Sequence, residues 1–376
     1  MTWRCVALAF LVARAAQAQG DPGYRVGVVS ESGDIVTWLR PSGVGLALDH
    51  VVPVGVMPSD IDGPHNIAMA PDGKSYYVTI AHGTPYGSLW KLNSHGDSVL
   101  GRAQLEMFPT TIGLTPDGQF AFVANSDFHG DHPRVNVVSV VHTGTMNKIT
   151  DIPACDMPHG VKANHTGTRV YVSCMHSDEI LELDVASLAI ARRVKTGEHS
   201  SNTAVAATAA GTHHETAPTS STPAGQECSP TFVSVSPDDR RLYIACNYGN
   251  SLQVRDAGTL SLIKEVPVGK GAYNVEPSPD GKLVMVTNKK DQSVSLIDAA
   301  RLTELARIPT SKKIVHGVTY SPDNRLAYVS SESIGTDPGA VDVIDLSARK
   351  MVSSVAVTGQ PTGVAILPGP TTASTH

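Results

Sequence analysis

The sequence is poor in aromatic and charged residues, which make up 5% and 17% of its 376 residues. It has no run of basic residues and a formal net charge of −6, so nothing predicts a nucleic-acid partner or an anionic-membrane partner. No apolar stretch beyond the N-terminal region is long enough to predict a membrane span. A hydrophobic fraction of 41% still suits a buried globular core and argues against general disorder.

Several motifs that carry chemistry are also missing. The sequence has no nucleophile elbow, phosphate-binding loop, dinucleotide fingerprint or zinc-finger spacing. It has no Cys-x-x-Cys-His motif either, which excludes covalently attached c-type haem but says nothing about non-covalent cofactors.

The N-terminus has the three regions of a secretory signal in the expected order. Arg4 supplies a positive charge, residues 5–13 are almost wholly apolar, and Ala16-Gln17-Ala18 is a small-x-small cleavage site. The apolar run is too short to span a bilayer. We therefore predict a signal peptide over residues 1–18 and a periplasmic or extracellular location.

Gly and Pro are plentiful, at 33 and 25 residues, as expected of short strands joined by tight turns. They belong to a repeat in which an extended run leads into a Pro-Asp-Gly-like turn, followed by three more strand-like runs. Pro presets φ in the turn, and alternating Val, Ile and Tyr residues supply half-buried strands. Such a four-stranded sheet must stack on its copies, and radial stacking produces a β-propeller.

Counting the turns predicts seven blades. The turn prolines are Pro71, Pro116, Pro237, Pro279 and Pro322, with His165 in the equivalent place of the third unit. Residues 361–366 form a further first strand, whereas residues 24–54 hold three strands without a first. The two ends complete each other, so we predict an all-β, seven-bladed propeller over residues 19–367 that closes by joining its terminal strands in one blade.

Two segments depart from the repeat. Residues 199–227 lengthen the spacing before the fourth blade and are rich in Ala, Ser, Thr and Pro, which predicts a flexible surface insertion. Residues 368–376 are predicted to form a disordered tail.

The units resemble the YVTN β-propeller repeats of bacterial and archaeal exported and surface proteins. The segments Pro279-Asp280-Gly281, Val286-Thr287-Asn288 and Ser293-Val294-Ser295-Leu296-Ile297-Asp298 follow that family's pattern almost verbatim. Propellers of similar architecture include binding and surface proteins, lactone hydrolases, antibiotic lyases and the haem-binding propeller of periplasmic nitrite reductases. The resemblance therefore implies a fold and leaves the function open.

Alignment on the turn proline exposes one position, six residues before it, where each first strand begins. Its occupants are His65, Thr110, His159, Thr231, Tyr273, His316 and Thr362. First strands are innermost in a propeller, so these residues should surround one mouth of the channel. The three histidines divide the ring as evenly as seven blades allow, and three imidazoles are a usual ligand set for copper, zinc or iron. Alternatively, they hydrogen-bond neighbouring loops or a channel water.

Further polar side chains should lie on the same face, because second strands run back toward it. We predict that His82, His176 and Glu332 join the ring residues in binding a ligand.

The four cysteines of the mature chain occupy matching places in adjacent blades. Cys155 and Cys228 precede a first strand, and Cys174 and Cys246 end a second strand. An even number of cysteines in an oxidising compartment favours disulfides, which we predict within each blade as Cys155–Cys174 and Cys228–Cys246. Pairing between the blades or copper ligation remains open.

These observations are consistent with two alternative functions. The first is an exported binding module that presents one channel face to a protein, glycan or small ligand. The second is a metal-dependent enzyme or metal-binding protein with its site on His65, His159 and His316. A weaker alternative is a lactonase-like hydrolase that uses the same histidines with Glu332 as acid–base groups.

Overall fold

The computed structural model describes residues 23–56, 61–82, 87–126, 135–197, 205–206, 227–333 and 337–368. These residues form seven antiparallel sheets in a ring, which confirms the predicted all-β, seven-bladed propeller. Except for two residues of a fifth strand, every sheet has four strands. The predicted signal peptide and nearly all of the predicted insertion and tail lie outside these ranges.

Each blade begins at the channel with its first strand and ends at the outer rim with its fourth. Blade 1 contains β4 (Pro64–Met69), β5 (Ser75–Ile80), β6 (Ser88–Asn93) and β7 (Val99–Gln104). Blade 2 contains β8 (Pro109–Leu114), β9 (Phe120–Ser126), β10 (Asn136–His142) and β11 (Asn147–Pro153). Blade 3 contains β12 (Pro158–Ala163), β13 (Arg169–Cys174), β14 (Glu179–Asp184) and β15 (Ala189–Lys195).

The remaining blades repeat this order. Blade 4 contains β17 (Pro230–Val235), β18 (Arg241–Cys246), β19 (Ser251–Asp256) and β20 (Leu262–Pro267). Blade 5 contains β21 (Ala272–Pro277), β22 (Leu283–Asn288), β23 (Ser293–Asp298) and β24 (Thr303–Pro309). Blade 6 contains β25 (Ile314–Tyr320), β26 (Leu326–Glu332), β27 (Gly339–Asp345) and β28 (Lys350–Val357).

Blade 7 is assembled from both ends of the chain. Its inner strand is the C-terminal β29 (Pro361–Pro368), followed by β1 (Tyr24–Ser30), β2 (Ile35–Ser42) and β3 (Gly45–Pro53), with a short 3-10 helix (Glu31–Gly33) between β1 and β2. In the register of β29 and β1, Val364 faces Val28 and Ile366 faces Val26. The pairing of the two termini leaves the ring without a gap.

The hydrophobic core lies between the blades as seven separate clusters. Each cluster combines side chains from two neighbouring sheets. Between blades 7 and 1, for example, Val29 and Trp38 pack with Tyr76, Val78 and Trp90. A blade therefore buries both faces only when both neighbours are present.

The predicted turns end the first strands at the face opposite the mouth. In blade 1 the Asp72 carboxylate accepts a hydrogen bond from the Lys74 backbone N–H. The adjacent Gly73 has a φ of 68°, in the region that glycine adopts without strain. This turn chemistry recurs around the ring and returns each second strand toward the mouth.

Blade 3 differs from the predicted four strands. A two-residue strand, β16 (Val205–Ala206), lies within the predicted insertion and pairs with β15 in the register Arg193 to Val205. The outer strand of blade 3 therefore has a partner on its free side.

Both predicted disulfides are confirmed. Cys155 is bonded to Cys174, and Cys228 is bonded to Cys246. All four sulfurs are consumed, so the open alternative of copper ligation by these cysteines is wrong. In the described ranges, no helix has the length and apolarity to cross a membrane.

Candidate functional site

The ring position identified in the sequence lies at the start of each inner strand, as expected. All seven of its residues are buried: His65, Thr110, His159, Thr231, Tyr273, His316 and Thr362. The strands place them around the channel axis at the end where the second strands finish. We call this end the histidine mouth.

Four aromatic rings of this position form a contiguous layer across the mouth. The ring of His65 lies 6.2 Å from that of His159 and 5.4 Å from that of His316, between centroids. Tyr273 lies 5.5 Å from His159 and 4.7 Å from His316. All four pairs meet edge to face, which is a favourable arrangement for aromatic rings.

The hydrogen bonds of His159 determine its tautomer. Its Nδ1 lies 2.9 Å from the carbonyl oxygen of Thr231, which can only accept, so Nδ1 carries the proton. Nε2 then accepts a hydrogen bond from the Tyr273 hydroxyl at 3.1 Å. Burial, together with the neighbouring His65, lowers the pKa of His159 to about 3, so the ring is neutral at physiological pH.

Glu31 connects two histidines at one side of the mouth. Its carboxylate accepts hydrogen bonds from His65 Nδ1 at 3.2 Å and from His82 Nε2 at 3.1 Å. Burial alone would raise the pKa of Glu31, but these hydrogen bonds outweigh it and hold the pKa well below its usual value. The other nitrogen of His65, Nε2, is buried and has no hydrogen-bond partner in the part of the chain that the structure describes.

His316 lies in blade 6, the neighbour of blade 7, and neither of its ring nitrogens has a hydrogen-bond partner among the described residues. Burial, reinforced by the positive charge of Lys289, lowers the pKa of His316 well below its ordinary value. Its Nε2 is 3.8 Å from Glu332 Oε1, which is beyond hydrogen-bonding distance. Buried polar atoms are rarely unpartnered, so these imidazole nitrogens mark a place for a ligand or water.

Lys289 covers this part of the layer. Its Nζ forms an ion pair with Glu332 Oε1 at 3.2 Å and lies 4.2 Å from the ring centroid of Tyr273. Burial raises the pKa of Tyr273 to about 12, against the opposing effect of Lys289, so the phenol keeps its proton and can donate to His159. The side chain of Lys289 is 29% exposed, so its ammonium group is accessible to solvent at the histidine mouth.

Two of the three threonines at the ring position, Thr110 and Thr231, link neighbouring blades by hydrogen bonds. Thr110 Oγ1 donates to the carbonyl oxygen of His159 at 2.9 Å, and Thr231 Oγ1 donates to that of Tyr273 at 2.5 Å. In four other blades a hydroxyl of the second strand makes this bond to the next blade: Thr79, Ser173, Thr287 and Ser330. Blades 2 and 4 have alanine at that place, so the first-strand threonine supplies the hydroxyl instead.

Two other residues from the sequence prediction, Thr362 and His176, also lie at the mouth. Thr362 is buried in blade 7, and its hydroxyl has no partner among the described residues. His176 lies half-buried in the turn after β13, where its backbone N–H donates to Asp156.

Sequence reasoning missed Lys289, Glu31, Phe108 and Phe232. Lys289 and Glu332 occupy the same repeat position, ten residues after the turn proline, and Glu31 matches them in blade 7. An alignment of this position across the repeats could have found Lys289. It could not have found Glu31, because in blade 7 the residue in place of the turn proline is Pro368, at the other end of the chain. Phe108 packs on His65 and His82, and Phe232 packs on His159 and Tyr273.

The charge around the mouth is uneven. Blades 5 and 6 contribute five lysines at this end, Lys270, Lys289, Lys290, Lys312 and Lys313, against three acidic residues, Asp291, Glu332 and Asp337. In the described loops of the other blades, the acidic residues at this end include Glu31, Asp62, Asp156 and Asp178. The basic side lies beside His316, so an anionic group of a ligand would be attracted to that side.

Comparison with known families finds a match to the Cytochrome D1 heme domain over residues 279–367. The matched segment runs from the turn of blade 5 to β29 and includes Lys289, His316 and Glu332. It covers less than half of the chain, and the predicted YVTN resemblance stays a prediction. None of the curated proteins matches the sequence.

Solved structures share the fold at low identity. The periplasmic gluconolactonase PpgL of Pseudomonas aeruginosa is 18% identical, with a TM-score of 0.70 over 92% of this chain and 99% of that one. A functionally unknown protein from Desulfotomaculum acetoxidans DSM 771 is 14% identical, with a TM-score of 0.67 over 92% and 99%. Dihydro-heme d1 dehydrogenase NirN, in complex with DHE, is 16% identical, with a TM-score of 0.60 over 93% and 76%.

The predicted copper, zinc or iron site on His65, His159 and His316 is wrong. Both nitrogens of His159 are engaged, with Thr231 and Tyr273, so the three-imidazole ligand set is incomplete. Within the described ranges, no group of three or more His, Cys, Asp and Glu side chains is arranged to hold a metal ion. The family model that matches describes a haem domain, and the structure of NirN is that of a dihydro-heme d1 dehydrogenase in complex with DHE.

Proposed function

We propose that the chain is an exported ligand-binding propeller whose histidine mouth holds a haem-related tetrapyrrole without a covalent bond. The observation that carries the proposal is the set of buried imidazole nitrogens, on His65 and His316, that have no hydrogen-bond partner among the described residues. The cationic Lys289 lies near His316. The two disulfides support export, since such bonds persist in oxidising compartments.

The residues of the mouth fit this ligand class. The four rings of the layer touch one another, so a planar macrocycle would lie over them rather than between them. Lys289 would bind a carboxylate of the ligand, with the other lysines of blades 5 and 6 beside it. His316 is neutral and would offer a nitrogen without first losing a proton. When bound, the group would supply an extended aromatic system for light absorption and electron transfer.

Absorption titration with haemin and with metal-free protoporphyrin tests this function. We expect saturable one-to-one binding to the wild type. His316→Phe, which replaces one flat ring by another, and Lys289→Met should each weaken binding about tenfold or more, or about 1.4 kcal/mol. His95→Phe and Lys264→Met change exposed residues away from the layer and serve as matched controls.

Two results would contradict the proposal: no saturable binding, or equal affinities for the wild type, Lys289→Met and Lys264→Met. Melting curves show whether each variant is folded. Lys289→Met alters a partly exposed side chain, so it stays informative if His316→Phe does not fold.

Lactone hydrolysis is a second candidate, favoured by the neutral His316 near the Glu332 carboxylate. An unprotonated imidazole can take a proton from water as the water attacks a lactone carbonyl, and the imidazolium can then return this proton to the ring oxygen as the ring C–O bond breaks. The similarity to PpgL motivates δ-gluconolactone as the substrate. Acid release that His316→Phe abolishes, without any porphyrin binding, would select this function over the first.

A further inference from the structure

A cavity lies in the channel, on the side of the histidine layer that faces away from the histidine mouth. It encloses about 520 Å³ and is lined by the inner strands of all seven blades beyond the ring position. Its rim includes the turn residues Pro279, Pro322 and Pro368, so it opens at the face opposite the histidine mouth. A cavity of this size accommodates a small organic ligand.

An ion pair crosses this cavity. Lys162 of β12 in blade 3 contacts Glu276 of β21 in blade 5, with Nζ and Oε1 2.8 Å apart. Ser234 of the intervening blade donates to Glu276 Oε2 at 3.0 Å. About a third of each charged side chain is exposed, at 35% and 30%, so solvent reaches the pair from the channel.

The rest of the lining is divided between apolar and polar groups. Ile67, Val318 and Val364 contribute apolar surface, whereas Asn66 and Asn274 contribute amides. Thr111 also lines the cavity; it is 6% exposed, and its Oγ1 has no hydrogen-bond partner within the described ranges. An unpartnered hydroxyl and a solvent-accessible ion pair in the lining of one cavity indicate a polar guest.

We propose that this cavity binds a small zwitterion with an apolar side chain, of the α-amino-acid class. An anionic ligand would compete with Glu276 for Lys162 and leave the Glu276 carboxylate without a counter-charge. A cationic ligand would compete with Lys162 for Glu276 and leave the Lys162 ammonium without one. A zwitterion can pair its carboxylate with Lys162 and its ammonium with Glu276, so every charge stays paired. The apolar side chain would pack on the Ile67 and Val364 side. This inference does not depend on any ligand at the histidine mouth.

Calorimetric titration of the full mature protein with three probes of the same shape tests the inference. L-Leucine is the zwitterion, leucinamide the cation and 4-methylpentanoate the anion. We expect leucine to bind and each single-charge analogue to bind about tenfold more weakly or not at all. Lys162→Met and Glu276→Gln should each remove leucine binding, whereas Lys282→Met, an exposed lysine at the same face, should retain it.

The analogue series uses only the wild type, so it decides the question even if a variant does not fold. Three results would overturn the inference. They are no heat of leucine binding up to about 10 mM, equal affinity for 4-methylpentanoate and leucine, and leucine binding that survives both Lys162→Met and Glu276→Gln.

Discussion

Removing residues 360–376 is expected to abolish cooperative folding. The deletion takes away β29, the inner strand of blade 7, which pairs with β1 and packs against β4 and β25. Val26 and Val28, both fully buried, would lose their cover, and β1 would become an unpaired edge at the channel. The core between blades 6 and 7 also uses Val364 and Ile366. An open ring exposes apolar surface at two blade interfaces, so the loss of stability is larger than that of one strand alone.

The matched control is a chain ending at Pro368, which keeps β29 and lacks only residues 369–376. Thermal unfolding followed by circular dichroism compares the two. We expect a sharp transition for the chain ending at Pro368 and none for the chain ending at Gly359. An unchanged cooperative transition in the shorter chain would contradict the closure of the ring by its terminal strands.

Replacing Gly363 by alanine is expected to destabilise the protein strongly without altering any polar group. A Cβ at this position would lie 2.8 Å from Cα of Asn66 and 2.9 Å from the backbone nitrogen of Ile67. Both atoms belong to the backbone of β4, so blades 7 and 1 would have to move apart. Overpacking of this kind costs about 2 kcal/mol or more.

Gly96→Ala is the matched control, because no atom lies within 4 Å of the added Cβ there. Urea unfolding of both variants measures the free energy of unfolding. We expect Gly96→Ala to stay within about 0.5 kcal/mol of the wild type. Equal stability of the two variants would show that the inner strands are not packed backbone to backbone.

The fold could be predicted because its information is local and repeated. Each turn of the Pro-Asp-Gly type ends a first strand, and six such turns together with the two incomplete ends of the chain count seven blades. The ring position follows from the same alignment, so His65, His159 and His316 were correctly brought to one mouth. Strand β16 was missed, since a two-residue pairing has no periodicity of its own.

The chemistry of the mouth could not be read in the same way. The nearly even spacing of three histidines around the ring predicts a metal site, but this spacing carries no information on their hydrogen bonds. The carbonyl of Thr231 and the hydroxyl of Tyr273 occupy both nitrogens of His159 and set it apart from the other two. Glu31 reaches His65 only because the two ends of the chain share a blade. These contacts depend on rotamers and on the closed ring, which the sequence does not display.

The most direct test of the proposed site is nuclear magnetic resonance of the protein labelled with nitrogen-15 in its histidines. At pH 5, below the ordinary histidine pKa of about 6.5, we expect the rings of His159 and His316 to remain neutral, because burial lowers both pKa values. Adding metal-free protoporphyrin should then shift the ring nitrogens of His65 and His316 and leave those of His95 unchanged. If the signals of His65 and His316 do not respond to saturating protoporphyrin, the histidine mouth is not the binding site.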